Sequence, residues 1–429
     1  MIAMKTVGII AEYNPFHNGH SLQYERVRDQ FGPDVAIVVV MSGSFTQRGE
    51  PALIDKWSRA RMAMASGACL VIELPFPYAA ASAERFATGG VQCLLATGVI
   101  GQLAFGSESG DLDALKRIAG ILAEEPPLFK AVLRDHLDQG LSFPAARQQA
   151  LVAFLAESEA GSPLDAGLLR SANNILAIEY LKALSRHGQG RIKPWTHTRE
   201  GQAYRSTDLD KTVSFASATA IRTRIQATGG DLASLIRNLA PHMPPSALGI
   251  LMEQLAAGRG PVFPETAAPT LLSLLSSETP ERIDRIAGME EGLGRRLMQM
   301  ASRPAKDLPG LLADLLQAAD TRRFPATRIN RALTALLAGV TREDLALFDE
   351  AGGPQYLRVL GFDKKGRYLL KLMRRFSALP VLMKGSDFLE LEMPAQIRMA
   401  ALDRLSTDLW SYMAGLPAGM DFDTPVIMR

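Results

Sequence analysis

The stretch Thr6-Val7-Gly8-Ile9-Ile10-Ala11-Glu12-Tyr13-Asn14-Pro15-Phe16-His17-Asn18-Gly19-His20 decides the fold. Its first six residues are apolar or small, with no polar alternation. That pattern predicts a strand covered on both faces, as in a parallel sheet. A polar loop follows, and then a helix candidate at 21–30. The same unit recurs downstream: apolar runs at 35–41, 70–74 and 102–105 are separated by helix candidates at 54–66 and 82–97. Repeated strand-helix-strand units predict a doubly wound α/β domain. Ligands in such sheets sit at the carboxyl ends of the strands, so the loops after the first, second and fourth strands are where chemistry is expected.

The rest of the chain sets the frame around that domain. At 429 residues it exceeds one ordinary core, so two or three domains are expected. The pattern is helical over 111–182, a strand candidate at 191–196 returns to the sheet, and from 218 onward it is almost wholly helical. The expected organisation is an α/β catalytic domain over 1–225 with a helical insertion near 111–185, then a mainly helical domain over 226–429. Apolar residues at 47% and charged residues at 21% fit a soluble globular protein. Two cysteines, Cys69 and Cys93, make neither a disulfide framework nor a zinc site, and they fit a reducing cytoplasm. No stretch approaches the ~20 apolar residues of a membrane span. Net charge is +2, so a nucleic-acid surface has to be local. One local excess exists: twelve Lys or Arg stand against five Asp or Glu over 322–375.

Chemistry is concentrated in a few loops. His17 and His20 stand three apart, with Gly19 between them, where the first helix begins. A helix N-terminus offers unpaired N–H groups and a positive dipole end to phosphate. Gly19 lets a flat base lie on the backbone. The two imidazoles can donate to α-phosphate oxygens during displacement. Two ordinary loop histidines are the plainer reading; the position at the first strand-to-helix turn favours function. The second loop offers Ser42, Gln47, Arg48 and Lys56, which fit a substrate pocket or a solvated loop. After the fourth strand, Gly106 permits a tight turn or a close approach to a nucleotide. Asn173 or Asn174 can cap a helix. Ser217, Thr219 and Arg222 either begin a helix or hold the β- and γ-phosphates of a leaving pyrophosphate.

His17-Asn18-Gly19-His20 resembles the histidine signature of the nucleotidylyl transferase superfamily, shared with class I aminoacyl-tRNA synthetases. Further matches are Gln47-Arg48-Gly49-Glu50-Pro51-Ala52, Ile72-Glu73-Leu74-Pro75, Phe105-Gly106-Ser107-Glu108, Asn173-Asn174-Ile175-Leu176 and Arg358-Val359-Leu360-Gly361-Phe362. With these, the chain resembles the bacterial tRNA(Met) cytidine acetate ligases from its first strand to its C-terminal region. The resemblance implies a Rossmann-like nucleotidylyl transferase domain that activates acetate with ATP, giving acetyl-adenylate and pyrophosphate. The acetyl group then passes to the exocyclic amine of the wobble cytidine of elongator tRNA(Met), giving N4-acetylcytidine. It also implies ATP contacts from the segment from Val7 through Gly8, Ile9, Ile10, Ala11, Glu12, Tyr13, Asn14, Pro15, Phe16, His17, Asn18 and Gly19 to His20. Gly106, Asn174 and Arg199 would add to them. Two departures are visible: Ala177 where the family pattern has glycine, and Arg205 after Tyr204 where it has histidine.

The residues suit that reaction on their own terms. Acetate is already an anion and needs no general base to attack phosphorus, so a site rich in phosphate donors is what its adenylation requires. Magnesium is expected with the ATP phosphates, and no protein-held metal is read from the sequence. Lys364, Lys365, Arg367, Lys371, Arg374 and Arg375 are candidates for tRNA phosphates. Two rival functions share parts of the argument: a small-metabolite adenylyltransferase, and a non-enzymatic nucleotide-sensing RNA-binding protein.

Overall fold

A computed structural model describes residues 4–141, 143–157, 168–169, 171–199, 215–303, 307–321 and 323–429. The Tyr204-Arg205 departure and Arg322 fall outside these residues. The first five strands are β1 (Thr6–Ala11), β2 (Ala36–Ser42), β3 (Leu70–Leu74), β4 (Gln102–Ser107) and β5 (Lys193–Thr198). They pair in parallel in the order β5-β4-β1-β2-β3. The order reverses between β1 and β4, which makes that junction the switch point where a doubly wound sheet opens to ligand.

The reason for the parallel reading is visible in β2. All seven of its residues are buried. Val38 and Val40 belong to one apolar cluster, while Ile37, Val39 and Met41 belong to the other, so helices cover both faces. Gly8 in β1 has a packing reason: a Cβ there would meet both methyls of Leu94 at 2.7 Å. The helix Ala83–Ala96 rests on the strand at that point.

The second half of the chain differs from the expected wholly helical pattern. Three strands, β6 (Leu357–Phe362), β7 (Val381–Leu382) and β8 (Ile427–Met428), complete an eight-stranded sheet. β6 runs antiparallel to β3. Helix Pro394–Met413 also joins the sheet core through Trp410, which is 1% exposed and donates from Nε1 to the Ala52 carbonyl at 2.6 Å. Helical residues 221–251 pack on the opposite face. Among the described residues, the cluster with its own centre away from the sheet spans 267–336. The expected boundary at 225–226 therefore does not coincide with a boundary between cores. The run Leu357–Phe362 is obscured by Arg358 at its second position, a buried charge that breaks the apolar pattern.

Trp410→Ala should lower the unfolding free energy by about 3–5 kcal/mol, through the cavity and the lost bond to Ala52. Urea denaturation is the measurement. A loss below about 1 kcal/mol would separate the C-terminal helix from the cooperative core.

Candidate active site

A cleft of about 1060 Å³ opens at the carboxyl ends of β1 and β4. Its wall draws on the first loop, the second loop, the end of β4, and the starts of the helices Ala172–His187 and Ala218–Thr228.

The histidine pair lies at its centre. His17 caps the helix Asn18–Phe31: its Nδ1 accepts from the Gly19 amide at 3.1 Å. His20 reaches back, its Nδ1 accepting from the His17 amide at 3.2 Å. The two rings stack with centroids 3.9 Å apart. Because each Nδ1 is an acceptor, a neutral imidazole carries its proton on Nε2. Both rings are held neutral. Burial, then Arg199, Arg222 and His242, push His17 down to about 3. Burial, His17 and Arg199 push His20 well below the ordinary imidazole range. The pair thus offers two Nε2–H donors and no charge. Gly19 is required by the ring above it, since a Cβ would meet His17 Cε1 at 2.9 Å.

The rest of the first loop is tightly held. Tyr13 adopts a left-handed φ of 48°, rare for a side-chain residue. Its hydroxyl bonds that of Tyr24 at 2.8 Å, and its ring packs edge-on to His20. Asn14 Oδ1 accepts from the Leu53 amide at 2.7 Å, and its carbonyl accepts from Arg222 at 3.0 Å. Glu12 is half-buried at the cleft, and desolvation raises its pKa; a 2.6 Å bond from the Gln47 amide and the charges of Arg222 and Arg48 oppose the rise.

Of the segment 7–20, Ile10, Ala11, Glu12, Tyr13, Asn14, His17 and His20 line the cleft. Val7, Ile9 and Phe16 are core side chains, and Gly8 faces Leu94. Pro15 is buried outside the lining. Asn18 is turned to the 241–242 turn, donating to the carbonyls of His242 and Pro241 at 2.9 Å each.

In the second loop, Gln47 and Arg48 reach the cleft, and Ser42 and Lys56 do not. Ser42 is fully buried at the end of β2. Lys56 is fully buried on the far side of the loop, bonded to Glu73 at 2.8 and 2.9 Å, Asp421 at 2.9 Å and Thr407 at 3.0 Å. Burial lowers its pKa, but Asp421 and Glu73 more than offset that and the net shift is upward. It is a structural cation.

Gly106 lines the cleft beside Arg199, whose Cγ a Cβ would meet at 2.8 Å. Arg199 donates to Asn173 Oδ1 at 2.8 Å. Asn173, not Asn174, faces the cleft. Asn174 is buried and binds the loop instead: its Oδ1 accepts from the amides of Glu108 at 2.9 Å and Ser109 at 3.3 Å. Glu108 answers by accepting from the amides of Asn173 and Asn174 at 3.2 and 2.8 Å. This cap had no assigned role in the sequence; the spacing of 65 residues hides it. Ser217 caps its helix through the Ala220 amide at 3.0 Å, and both Ser217 and Thr219 line the cleft. Arg222 lines it too, and pairs with Glu50 at 3.3 Å.

The basic cluster is elsewhere. The helix Lys364–Phe376 lies along the amino ends of the strands: Lys365 donates to the Asp34 carbonyl at 3.1 Å, the Asp363 amide to the Cys69 carbonyl, and the Ala378 amide to the Ala96 carbonyl. These residues precede β2, β3 and β4. The cleft lies a strand length away, about 20 Å. Lys364, Arg367, Lys371, Arg374 and Arg375 are exposed there.

Sheet order, switch point and capped histidine pair define a nucleotidyl transferase, and the model described as HIGH Nucleotidyl Transferase matches residues 4–419. The tRNA(Met) cytidine acetate ligase of Acetivibrio thermocellus is 42% identical, covering 99% of this chain and 100% of that one. That of Syntrophomonas wolfei is 39% identical over 98% and 99%. Thermotoga maritima TmcAL in its apo form superposes with a TM-score of 0.91 at 33% identity, over 99% of each chain. The same protein bound with alpha-thio ATP gives 0.89. The chain belongs to the tRNA(Met) cytidine acetate ligases within the HIGH nucleotidyl transferases.

The neutral histidines set a pH dependence. Unfolded imidazoles bind protons near 6.5, whereas native His17 resists to about 3. Stability should therefore be full above about 6.5 and fall as pH drops through that window. His17→Asn, which keeps a good cap, should flatten the slope between pH 6.5 and 5. Equal slopes in chemical denaturation would mean that native His17 takes up the proton.

Proposed function

We propose that the enzyme activates acetate with ATP and transfers the acetyl group to the wobble cytidine of elongator tRNA(Met). An acetate oxygen forms a bond to the α-phosphorus, and the bond to the β-phosphate bridge breaks, releasing pyrophosphate. The cytidine amine then attacks the acyl carbon, giving N4-acetylcytidine and AMP. The capped, neutral histidine pair carries the reading. Two Nε2–H donors fixed by backbone bonds can follow the charge that develops on the α-phosphate without reorganising. The helix start beside them adds amide donors. Gly106 gives the adenosine a close approach. Ser217, Thr219 and Arg222, which line the cleft together, would hold the β- and γ-phosphates, while Arg199, bonded to Asn173, would contact the α-phosphate.

Magnesium would arrive with the nucleotide. Among the described residues, no group of three His, Cys, Asp or Glu could hold a metal ion, and Glu12 and Glu50 are engaged by Gln47 and Arg222. None of the helices among these residues is long and apolar enough to cross a membrane, and ATP and tRNA place the reaction in the cytoplasm. The division of labour proposed is ATP chemistry on 1–225, with RNA contacts from 226–429. Lys364, Lys365, Arg367, Lys371, Arg374 and Arg375, at the opposite end of the sheet, would touch RNA remote from the acetylated nucleotide.

Acetate-dependent pyrophosphate release, measured with and without tRNA, tests the reading and separates it from a metabolite adenylyltransferase or a non-catalytic RNA binder. His20→Ala should lower that release roughly 100-fold or more with the fold intact; near-normal release would remove the histidine from the mechanism. Arg222→Ala should weaken ATP binding and leave AMP affinity nearly unchanged. An equal fall in both would assign Arg222 to support of the first loop through Asn14 and Glu50.

A further inference from the structure

A second concavity of about 930 Å³ adjoins the cleft. Its floor is apolar, with Phe76, Pro77 and Ala80 after β3 on one side and Ala332 and Ala335 of the helix Ala326–Ala338 on the other. Three arginines and one glutamate line it. Two of the arginines are paired: Arg85 with Asp349 at 2.9 Å, and Arg328 with Glu291 at 3.4 Å. Arg331 is not. It is partly buried, and it makes no hydrogen bond or ion pair among the described residues. Burial, with the like charge of Arg328, pulls its pKa down to about 10. It stays cationic at neutral pH, and a partly desolvated cation without a partner among the described residues favours an anion.

The groove and the cleft share a wall. Gln47 lines the cleft and donates at 3.1 Å to the carbonyl of Ala81, which lines the groove. Behind it, Thr334 donates to the Gly49 carbonyl at 2.7 Å, and the Gly49 backbone lies on that of Asn330 and Arg331. An apolar floor beside one guanidinium that has no partner among the described residues matches a nucleotide, with a face for a base and a fork for a phosphate.

We propose that this groove holds the single-stranded RNA next to the acetylated nucleotide, with Arg331 binding a phosphodiester and the apolar floor accepting a neighbouring base. The inference rests on the tRNA-acetylating reading and adds to it the place where the strand is gripped. It differs from the basic helix Lys364–Phe376, which lies at the other end of the sheet. A target base must leave its stack to reach the reactive carbonyl, and an adjacent grip holds the strand while it does so.

The test uses the full-length enzyme and an unmodified methionine tRNA transcript, with Arg331→Gln and Arg331→Lys. RNA binding is measured at several salt concentrations, and acetate-dependent ATP–pyrophosphate exchange is measured without RNA. Arg331→Gln should weaken RNA binding about tenfold and lower the salt slope by about one unit. Arg331→Lys should keep the slope. Exchange and Tm should not change, because the guanidinium makes no bond within the chain. Unchanged RNA affinity and slope would overturn the proposal. So would a parallel loss of exchange, which would make Arg331 a support for the second loop. Because RNA binding is read without turnover, failure of the wild type to acetylate the transcript would count against the proposed function and leave the groove's test standing.

Discussion

Arg59 is fully buried, and its guanidinium is the tie on which the catalytic mouth depends. It donates to the carbonyls of Glu12 at 2.7 Å, Ser42 at 3.0 Å and Ile54 at 3.2 Å, and also to Gly43. Those of Glu12, Ser42 and Gly43 leave β1 and β2 at the points where regular pairing ends, and that of Ile54 stands just before the helix Lys56–Ala65, so they would otherwise be orphaned. Burial lowers the pKa of Arg59 to about 10, with Asp55, Glu73 and Glu12 opposing it, so the group stays charged at neutral pH. One side chain thereby fixes the first loop against the second. The cleft inherits its shape from that bond set: Glu12 can then accept from Gln47, and Asn14 can hold Leu53.

Beneath the loops lies a second buried polar centre. Lys56, Glu73 and Asp421 are each 3% exposed or less in their side chains, and they join the helix after β2 to β3 and to the C-terminal segment. Asp403, pushed up to about 7 chiefly by burial, accepts from the Phe76 amide at 2.6 Å and from Tyr356 at 2.5 Å. Burying such charges is unfavourable unless each is paired, and removing one partner typically destabilises by about 3–5 kcal/mol. The arrangement explains why the end of the chain cannot be treated as an appendage: part of its polar core is completed by residues 351 positions earlier, as in Lys56 with Thr407. It also requires glycine at 43, where any Cβ would strike the Glu73 carboxylate.

Sequence reading captured what is local and periodic. β1 to β4 lie where continuous apolar runs put them, β5 lies close to its candidate at 191–196, and His17 and His20 sit at the first helix start because Gly19 and the strand before it are legible. It erred where partners are distant. Lys56 looked like a pocket lysine because nothing near it in sequence reveals Glu73, Asp421 and Thr407. Which of Asn173 and Asn174 turns its side chain to the cleft is not legible in the sequence, because Glu108, the group that decides between them, comes from another loop. β6 escaped because Arg358 is charged yet buried. Arg59 had no signal at all: on a helix it resembles any solvated arginine, and only the assembled sheet turns it inward.

The contact of Gly49 with the helix Ala326–Ala338 has a metric consequence. Backbone rests directly on backbone, φ at Gly49 is 74°, and no side chain intervenes. The partition between the two chambers is therefore fixed at this point by main-chain contact, and under the proposed RNA grip only the Arg331 side chain would stand between it and the strand's anchoring point. Under that reading, such a spacer would act as a caliper along the polynucleotide. It would choose the acetylated base by counting from a gripped phosphate, with little need to read the edges of neighbouring bases.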